Sequence, residues 1–396
     1  MESEHSARPL PMTDRASALE QTAIREMFDL AEQQGGDLIR LEVGEPDFEP
    51  PEHVLEAAED AVRSGDTGYT PNAGVLDLRE AISERLATDH EIEYDPQTEI
   101  TATVGAMEAM YVALQTIAGP GEEVVLPTPA WANYTTQVQL AGARPVEVAL
   151  PADDGFDLDP ERIADAIGPK TAGVILSTPS NPTGRVYAEE DIAAVVDAAA
   201  EHDAYVIADE VYKALTFEGS TRAVASYVDH PDRVLTVGSC SKTYAMTGWR
   251  LGWLAGPAPV VGAATLLHAS VTACASVISQ QAAIAALAGP QEPVEEMLTA
   301  FERRRDLVVD RVAEIPTISC ARPEGAFYAF LDVSELEGSA TDVAKRLLRE
   351  EGVVAAPGDG FGTAGQGYLR LSFAASEERL DEGFDRIEAF VRREVS

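Results

Sequence analysis

Four apolar stretches of this chain run into residues able to do chemistry. Tyr205-Val206-Ile207-Ala208 leads to Asp209 and Glu210, and Val234-Leu235-Thr236-Val237 leads to Ser239-Cys240-Ser241-Lys242. Ala172 to Ser177 leads to Ser180-Asn181-Pro182-Thr183-Gly184, and Val104 leads to Gly105, which opens a helical stretch. Taken singly, each is an ordinary turn or cap, because such positions favour these residue types. Taken together they are more specific. In open α/β sheets ligands bind outside the carboxyl ends of the strands, so four such ends in one sheet point to one site. An amine kept from water there can act as nucleophile and proton carrier. Free N–H groups at Gly105-Ala106-Met107, at the start of a helix, suit an anion.

These residues need a sheet behind them, and the hydrophobic pattern supplies one. Strands are expected at Ile100–Val104, Glu123–Leu126, Arg144–Leu150, Ala172–Ser177, Tyr205–Ala208, Val234–Val237 and Leu251–Ala255. Helical spacing separates them at Asp77–Thr88, Ala106–Ile117, Trp131–Leu140 and Glu189–Glu201. Such alternation argues for a largely parallel sheet covered on both faces. Ahead of it, Thr22–Gln34 and Glu52–Arg63 read as helices flanking a short strand, Leu38–Val43. An Ala-rich stretch from Pro259 to Leu287 reads as one long helical region. From Glu292 the texture changes to charged helices (Glu292–Ala313, Thr341–Glu351, Glu377–Arg393) with short strands at Ala326–Leu331 and Tyr368–Phe373. That predicts a smaller α+β lobe.

Composition narrows the class. The chain has 396 residues, 45% hydrophobic and 24% charged, which excludes a disordered or fibrous protein and calls for at least two lobes. No apolar stretch approaches the roughly 18 residues of a membrane span, and the acidic start is followed by no apolar run of a secretory leader. Met12 is an alternative start, and residues 1–12 are expected to be a disordered extension. Three scattered cysteines and six histidines without ligand spacing indicate neither disulfides nor a metal site. The 68 acids against 29 bases give a net charge of −39. Such a field repels nucleic acid and anionic membranes. With only four lysines, it also fits a cytoplasmic protein of a salt-rich cytosol.

The strand-end residues belong to longer runs that resemble one family. Ser239-Cys240-Ser241-Lys242 is followed by Met246-Thr247-Gly248-Trp249-Arg250-Leu251-Gly252, similar to the lysine region of class I/II pyridoxal-phosphate aminotransferases. Gly44-Glu45-Pro46-Asp47-Phe48, Asn181-Pro182-Thr183-Gly184, Asp209-Glu210-Val211-Tyr212, Gly325-Ala326-Phe327-Tyr328 and Tyr368-Leu369-Arg370-Leu371-Ser372 follow that family's order. The resemblance spans residue 13 to the C-terminus and is nearest the prokaryotic aspartate and aromatic branch. It implies an α/β protein of fold type I, a homodimer whose large domain holds a mostly parallel seven-stranded sheet. It also implies boundaries: 13–48 joining the small domain, 49–290 binding the cofactor, and 291–396 forming the small α+β domain.

The resemblance assigns roles. Lys242 would form the Schiff base with pyridoxal 5'-phosphate and shuttle the substrate proton, and Asp209 would keep the ring nitrogen protonated. Gly105, Ala106, Met107, Ser239, Ser241 and Arg250 would cup the phosphate, with Tyr69 reaching it from the neighbouring subunit. Trp131 would stack on the ring and contact substrate, while Asn181 and Tyr212 would bond its phenolic oxygen. Arg370 would grip the substrate carboxylate, assisted by Gly44 and Asn181. Ordinary alternatives stand beside these: core packing for Trp131, Tyr212 and Tyr69, an acidic cap for Asp209, an edge-strand arginine for Arg370. Some aspartate-specific relatives carry a lysine where this chain has Met107, which turns the expectation toward aromatic or broad amino acids, with 2-oxoglutarate as acceptor. Gly358-Asp359-Gly360-Phe361-Gly362 lies outside any βαβ unit and reads as a flexible turn. A C–S lyase of the same fold is the enzymatic alternative, and a cofactor-binding regulator domain the non-enzymatic one. A nicotinamide dehydrogenase is excluded because no G-x-G-x-x-G follows an expected strand.

Overall fold

The structure is a computed structural model that describes residues 12–17, 19, 22–65 and 67–394. The extension expected at residues 1–12 therefore lies, apart from Met12, outside the described residues. After a helix at Ala23–Gln34, capped by the Thr22 hydroxyl, comes β1 (Ile39–Arg40). The large sheet follows: β2 (Ile100–Thr103), β3 (Glu123–Thr128), β4 (Arg144–Ala149), β5 (Thr171–Ser177), β6 (Tyr205–Asp209), β7 (Val234–Ser239) and β8 (Gly252–Ala255). Its order is β2-β8-β7-β6-β5-β3-β4, with β8 antiparallel to both neighbours and every other pair parallel. The expected mostly parallel, seven-stranded α/β sheet is what forms.

Strand alternation divides the core between the two faces. Val174, Leu176, Val206 and Ala208 join helices Glu52–Ser64, Leu76–His90, Glu189–Glu201 and Val277–Ala288 on one side. Ile175, Ile207, Leu235 and Val237 meet Gly105–Ile117 and Asn133–Leu140 on the other. Both faces being covered explains why these strands read as continuous apolar runs. A third core surrounds a sheet of β9 (Ser319–Cys320), β10 (Tyr328–Asp332), β12 (Ala356–Pro357) and β13 (Tyr368–Ser372), ordered β12-β13-β10-β9 and antiparallel throughout. A parallel pair, β1 with β11 (Val353–Val354), adds the N-terminal segment to that core, where Met27, Ile39 and Leu41 are buried. The helix at Ala340–Glu351 is framed by a capping box, Ser339 with Asp342, and by left-handed Gly352 (φ 69°).

Several elements differ from expectation. The strand expected over Leu38–Val43 is only two residues long, because past Leu41 the chain turns to offer the Glu42 carbonyl to Arg370. The Ala-rich region is two helices, Ala258–Val271 and Val277–Ala288, parted where Ala273 takes a left-handed backbone and Ser276 caps the second. A helix at Pro160–Ala166 went unread despite its Asp159 cap and Pro at the first turn. Gly358–Phe361 is a packed 3₁₀ turn rather than a loose one, with Phe361 1% exposed.

At β8 the backbone passes close to the start of helix Gly105–Ile117. A Cβ on Gly252 would stand 2.6 Å from the Ala106 nitrogen and 2.7 Å from the Gly238 oxygen, both backbone atoms unable to yield cheaply. Gly252→Ala should therefore lower the thermal unfolding midpoint by several degrees, a cost of about 2 kcal/mol. Gly262→Ala, on a helix with open space around it, should be neutral or stabilising in the same scan.

Candidate active site

Strand order explains why the chemistry converges. β5, β6 and β7 are adjacent and parallel, so their carboxyl ends lie side by side. β6 carries Asp209 as its last residue and β7 carries Ser239 as its last, each strand running one or two residues further than the apolar pattern indicated. Lys242 follows in a single turn of helix, Cys240–Thr243, whose N-cap is Ser239. These ends border a cavity of about 360 Å³.

Asp209 is 4% exposed. Its Oδ2 accepts a hydrogen bond from the Tyr134 hydroxyl at 2.5 Å, and its Oδ1 accepts from the Val211 N–H at 3.3 Å. Burial pushes its pKa up to about 6, against the pull of those two bonds. Tyr134 was not anticipated. It sits three residues past Trp131, whose ring it meets edge-on with centroids 5.4 Å apart. A polar side chain one helical turn from a candidate aromatic was the available signal. The Lys242 amine donates to the Gly44 carbonyl and lies 6.0 Å from the Tyr212 ring and 5.7 Å from that of Phe327. Burial lowers its pKa to about 8; Arg370 and Arg250 push the same way, opposed by Glu45 and Asp209.

One end of the cavity is built for an anion. Gly105 (φ 74°) opens its helix so close to Arg250 that a Cβ there would stand 2.5 Å from the guanidinium. Arg250 takes a left-handed backbone (φ 55°) and donates to the Thr247 carbonyl at 2.6 Å. The Ser239 hydroxyl accepts from the Ser241 N–H at 3.0 Å and lies 2.9 Å from the Ser241 hydroxyl. Glu108 accepts from the Val104 N–H at 2.6 Å and meets His268 at 2.9 Å, fixing the first turn of that helix.

At the other end stands Arg370, 3% exposed, on β13. It donates to Asn181 Oδ1 at 3.1 Å and to the Glu42 carbonyl, and its guanidinium lies 4.4 Å from the Tyr328 ring and 5.2 Å from that of Phe361. Its Nε is buried without a partner, an open donor of the kind a carboxylate fills. Tyr212 and Tyr328 share a hydroxyl–hydroxyl bond of 2.8 Å. Gly44 is required here, since a Cβ would collide with the Tyr328 hydroxyl.

Ala106, Met107, Trp131, Asn181, Tyr212 and Ser241 thus border one cavity with Lys242, Asp209 and Arg370. Tyr69 does not: it is 92% exposed and outside this chain's cavity. Ile24, Phe28 and Glu42, from the N-terminal segment, complete the wall and were not foreseen. Among the described residues no His, Cys, Asp or Glu cluster is placed to hold a metal ion, and no helix is long and apolar enough to cross a membrane.

Comparison with known proteins decides the family. Residues 36–387 match the profile of aminotransferase class I and II. This chain is a class I/II aminotransferase. It is 40% identical over 366 residues to the aspartate aminotransferase of Bacillus subtilis, covering 91% of this chain and 92% of that one. Over 388 residues it is 38% identical to aromatic-amino-acid aminotransferase 2 of Thermococcus litoralis, covering 97% and 99%. It superposes on the structure of Thermus thermophilus aspartate aminotransferase with maleate at a TM-score of 0.91 and 37% identity, covering 96% and 99%. These structural neighbours share fold type I. The cofactor of this aminotransferase is pyridoxal phosphate. The donor set fits it: a neutralisable amine between a buried carboxyl and an anion cup of N–H groups, serines and an arginine.

Because an uncharged amine is the nucleophile, uptake of pyridoxal phosphate by the cofactor-free aminotransferase should accelerate between about pH 7 and about pH 9, then level off. An ordinary lysine, with its pKa near 10.5, would still be accelerating at the top of that range. Stopped-flow absorbance across the range separates the two.

Proposed function

We propose that this aminotransferase moves the amino group of an L-amino acid to a 2-oxo acid, with 2-oxoglutarate the first acceptor candidate, in two half-reactions that use one cavity in turn. The observation that carries the reading is a buried lysine amine placed between a buried carboxyl and an arginine with an open donor. Bound there, pyridoxal phosphate supplies an aldehyde for amine exchange and a ring that withdraws electrons from the substrate α-carbon.

Lys242 would hold the cofactor and, as a free amine, would move the proton at the substrate α-carbon; an amine with a pKa of about 8 can both accept and return it. Asp209 would hold the proton on the cofactor's ring nitrogen, a cation that would offset the burial raising this carboxyl. Tyr134 keeps the carboxyl oriented through its hydroxyl. Gly105, Ala106, Met107, Ser239, Ser241 and Arg250 would hold the phosphate. Trp131 would stack against the ring, and Asn181 and Tyr212 would bond its oxygen; all three border the cavity. Arg370 takes the substrate α-carboxylate with a planar fork pre-set by Asn181 and the Glu42 carbonyl.

We propose further that the enzyme acts as a homodimer in which Tyr69 reaches the partner's phosphate cup; its exposure, with that of Leu266 and Val271, supports a covered face. The segment 13–48 then belongs with the small domain (291–396) and residues 49–290 form the cofactor domain, a division supported by the burial of Met27, Ile39 and Leu41 in the small sheet's core. The net charge of −39 supports a salt-rich cytoplasm as the setting.

The reading predicts 2-oxo-acid-dependent conversion of amino acids with no release of ammonia or pyruvate, measured by coupled product assays. Ammonia release without an acceptor would favour a lyase instead. Arg370→Ala should raise the KM values of both substrate classes, amino acids and oxo acids, by about a hundredfold while the cofactor absorbance stays, as expected for loss of a charged bidentate contact. Unchanged KM values would remove Arg370 from the carboxylate role.

A further inference from the structure

The helix that opens the anion cup carries an acid, Glu108, in its first turn, where a carboxylate competes with a phosphate. Val104 stands at the cap position and has no side chain able to accept the free N–H groups of Gly105–Ile117. Carboxylates favour helix N-termini, so Glu108 is the natural claimant for those groups. It is drawn away from them on both sides. Its Oε2 accepts from the Val104 N–H at 2.6 Å. Its Oε1 accepts from the Thr272 hydroxyl at 2.8 Å and meets His268 Nδ1 at 2.9 Å. A carboxylate oxygen only accepts, so the imidazole hydrogen of that contact sits on Nδ1.

The partners of Glu108 are themselves held. His268 is fully buried in the last turn of Ala258–Val271. Thr272 ends that helix, with its hydroxyl 3.0 Å from His268 Nδ1. Beyond it, left-handed Ala273 offers its carbonyl to Asn72 Nδ2 at 2.7 Å, and the Ala275 carbonyl accepts from Gln280 at 2.9 Å. The break between the two Ala-rich helices thus sets Thr272 against Glu108. Helix Ala258–Val271 packs on Gly105–Ile117 and brings a buried alanine, Ala264, to the shared core. So small a side chain interlocks little, whereas a buried polar contact is specific to one register. The cup leaves no slack either, since a Cβ on Gly105 would stand 2.5 Å from the Arg250 guanidinium.

We propose that Glu108 is a positioning residue for the phosphate cup. Pinned by His268 and Thr272, it keeps its own charge off the free N–H groups and holds the first turn where those groups and Arg250 converge. This rests on the proposed role of the cup in holding the cofactor's phosphate. Removing a nearby negative charge would by itself favour a bound dianion. The pin predicts the reverse, because glutamine has one acceptor oxygen and cannot take hydrogen bonds from both sides.

Equilibrium binding to the full-length, cofactor-free enzyme tests it with three probes: pyridoxal phosphate, pyridoxal and inorganic phosphate. Pyridoxal keeps the aldehyde and ring but lacks the phosphate, so the ratio of the two dissociation constants reads the cup. Glu108→Gln should lower the preference for the phosphate ester at least about tenfold and weaken inorganic phosphate, with pyridoxal unchanged within about twofold. His268→Asn, whose amide nitrogen falls near the place of Nδ1, should keep the preference within about threefold. His268→Gln, whose amide reaches toward the place of Nε2, should lower it at least about fivefold, and this pair carries the test should Glu108→Gln fail to fold. Tighter phosphate binding in Glu108→Gln would make the acid a mere repelling charge and overturn the proposal. Equal weakening of pyridoxal and its phosphate would overturn it too, as would a full preference in His268→Gln. Arg250→Gln reads the cup itself. An unchanged preference there would sink the proposed cup, whereas a loss there beside unchanged Glu108 and His268 variants would sink only the positioning role.

Discussion

Holding a carboxyl and an amine out of water at neighbouring strand ends is the constraint on which the site depends. Desolvation disfavours both charges, raising Asp209 to about 6 and lowering Lys242 to about 8. An unpartnered charge in that position would be costly. The fold meets the cost with short, specific contacts: the Tyr134 hydroxyl and Val211 N–H for Asp209, the Gly44 carbonyl for Lys242. Parallel register sets the spacing, because β6 and β7 pair Asp209 with Val237 and bring Lys242 one turn beyond. The helices on either face then exclude water from behind.

The second requirement is that the small sheet reach the large one. Arg370 does so from the centre of an antiparallel strand, braced by aromatic faces and by the carbonyl of Glu42. The N-terminal segment is the strap between them: it pairs with β11, buries Leu41, and then lays Glu42, Val43 and Gly44 along the cavity. Asp47 closes it onto Arg304 through two bonds of 2.7 and 2.9 Å. The same strap that braces Arg370 also supplies part of the cavity wall.

Much of this was legible before the fold was known. Strands buried on both faces leave continuous apolar runs, so Asp209, Ser239 and Lys242 stood out as polar residues terminating them. Arg370 was legible only through its family-like run, since a lone arginine on a short strand has no signature of its own. Tyr134 and Glu42 were not read, because their meaning arises from contacts 75 and 328 residues away along the chain. Nor did local pattern mark the break at residues 272–276, where alanine-rich sequence continues through Ala273 and Ala275 and only the Ser276 cap signals a new helix. Such features depend on tertiary placement, which periodicity does not carry.

Every role proposed for the site depends on Lys242 being the residue that holds the cofactor. Borohydride reduction of the loaded enzyme followed by peptide mapping tests that directly, with only Lys170, Lys213 and Lys345 as competitors. Lys242 alone should carry a stable pyridoxyl label, abolished in Lys242→Ala. A label on another lysine, or a wild-type enzyme that retains no label after reduction, would contradict it.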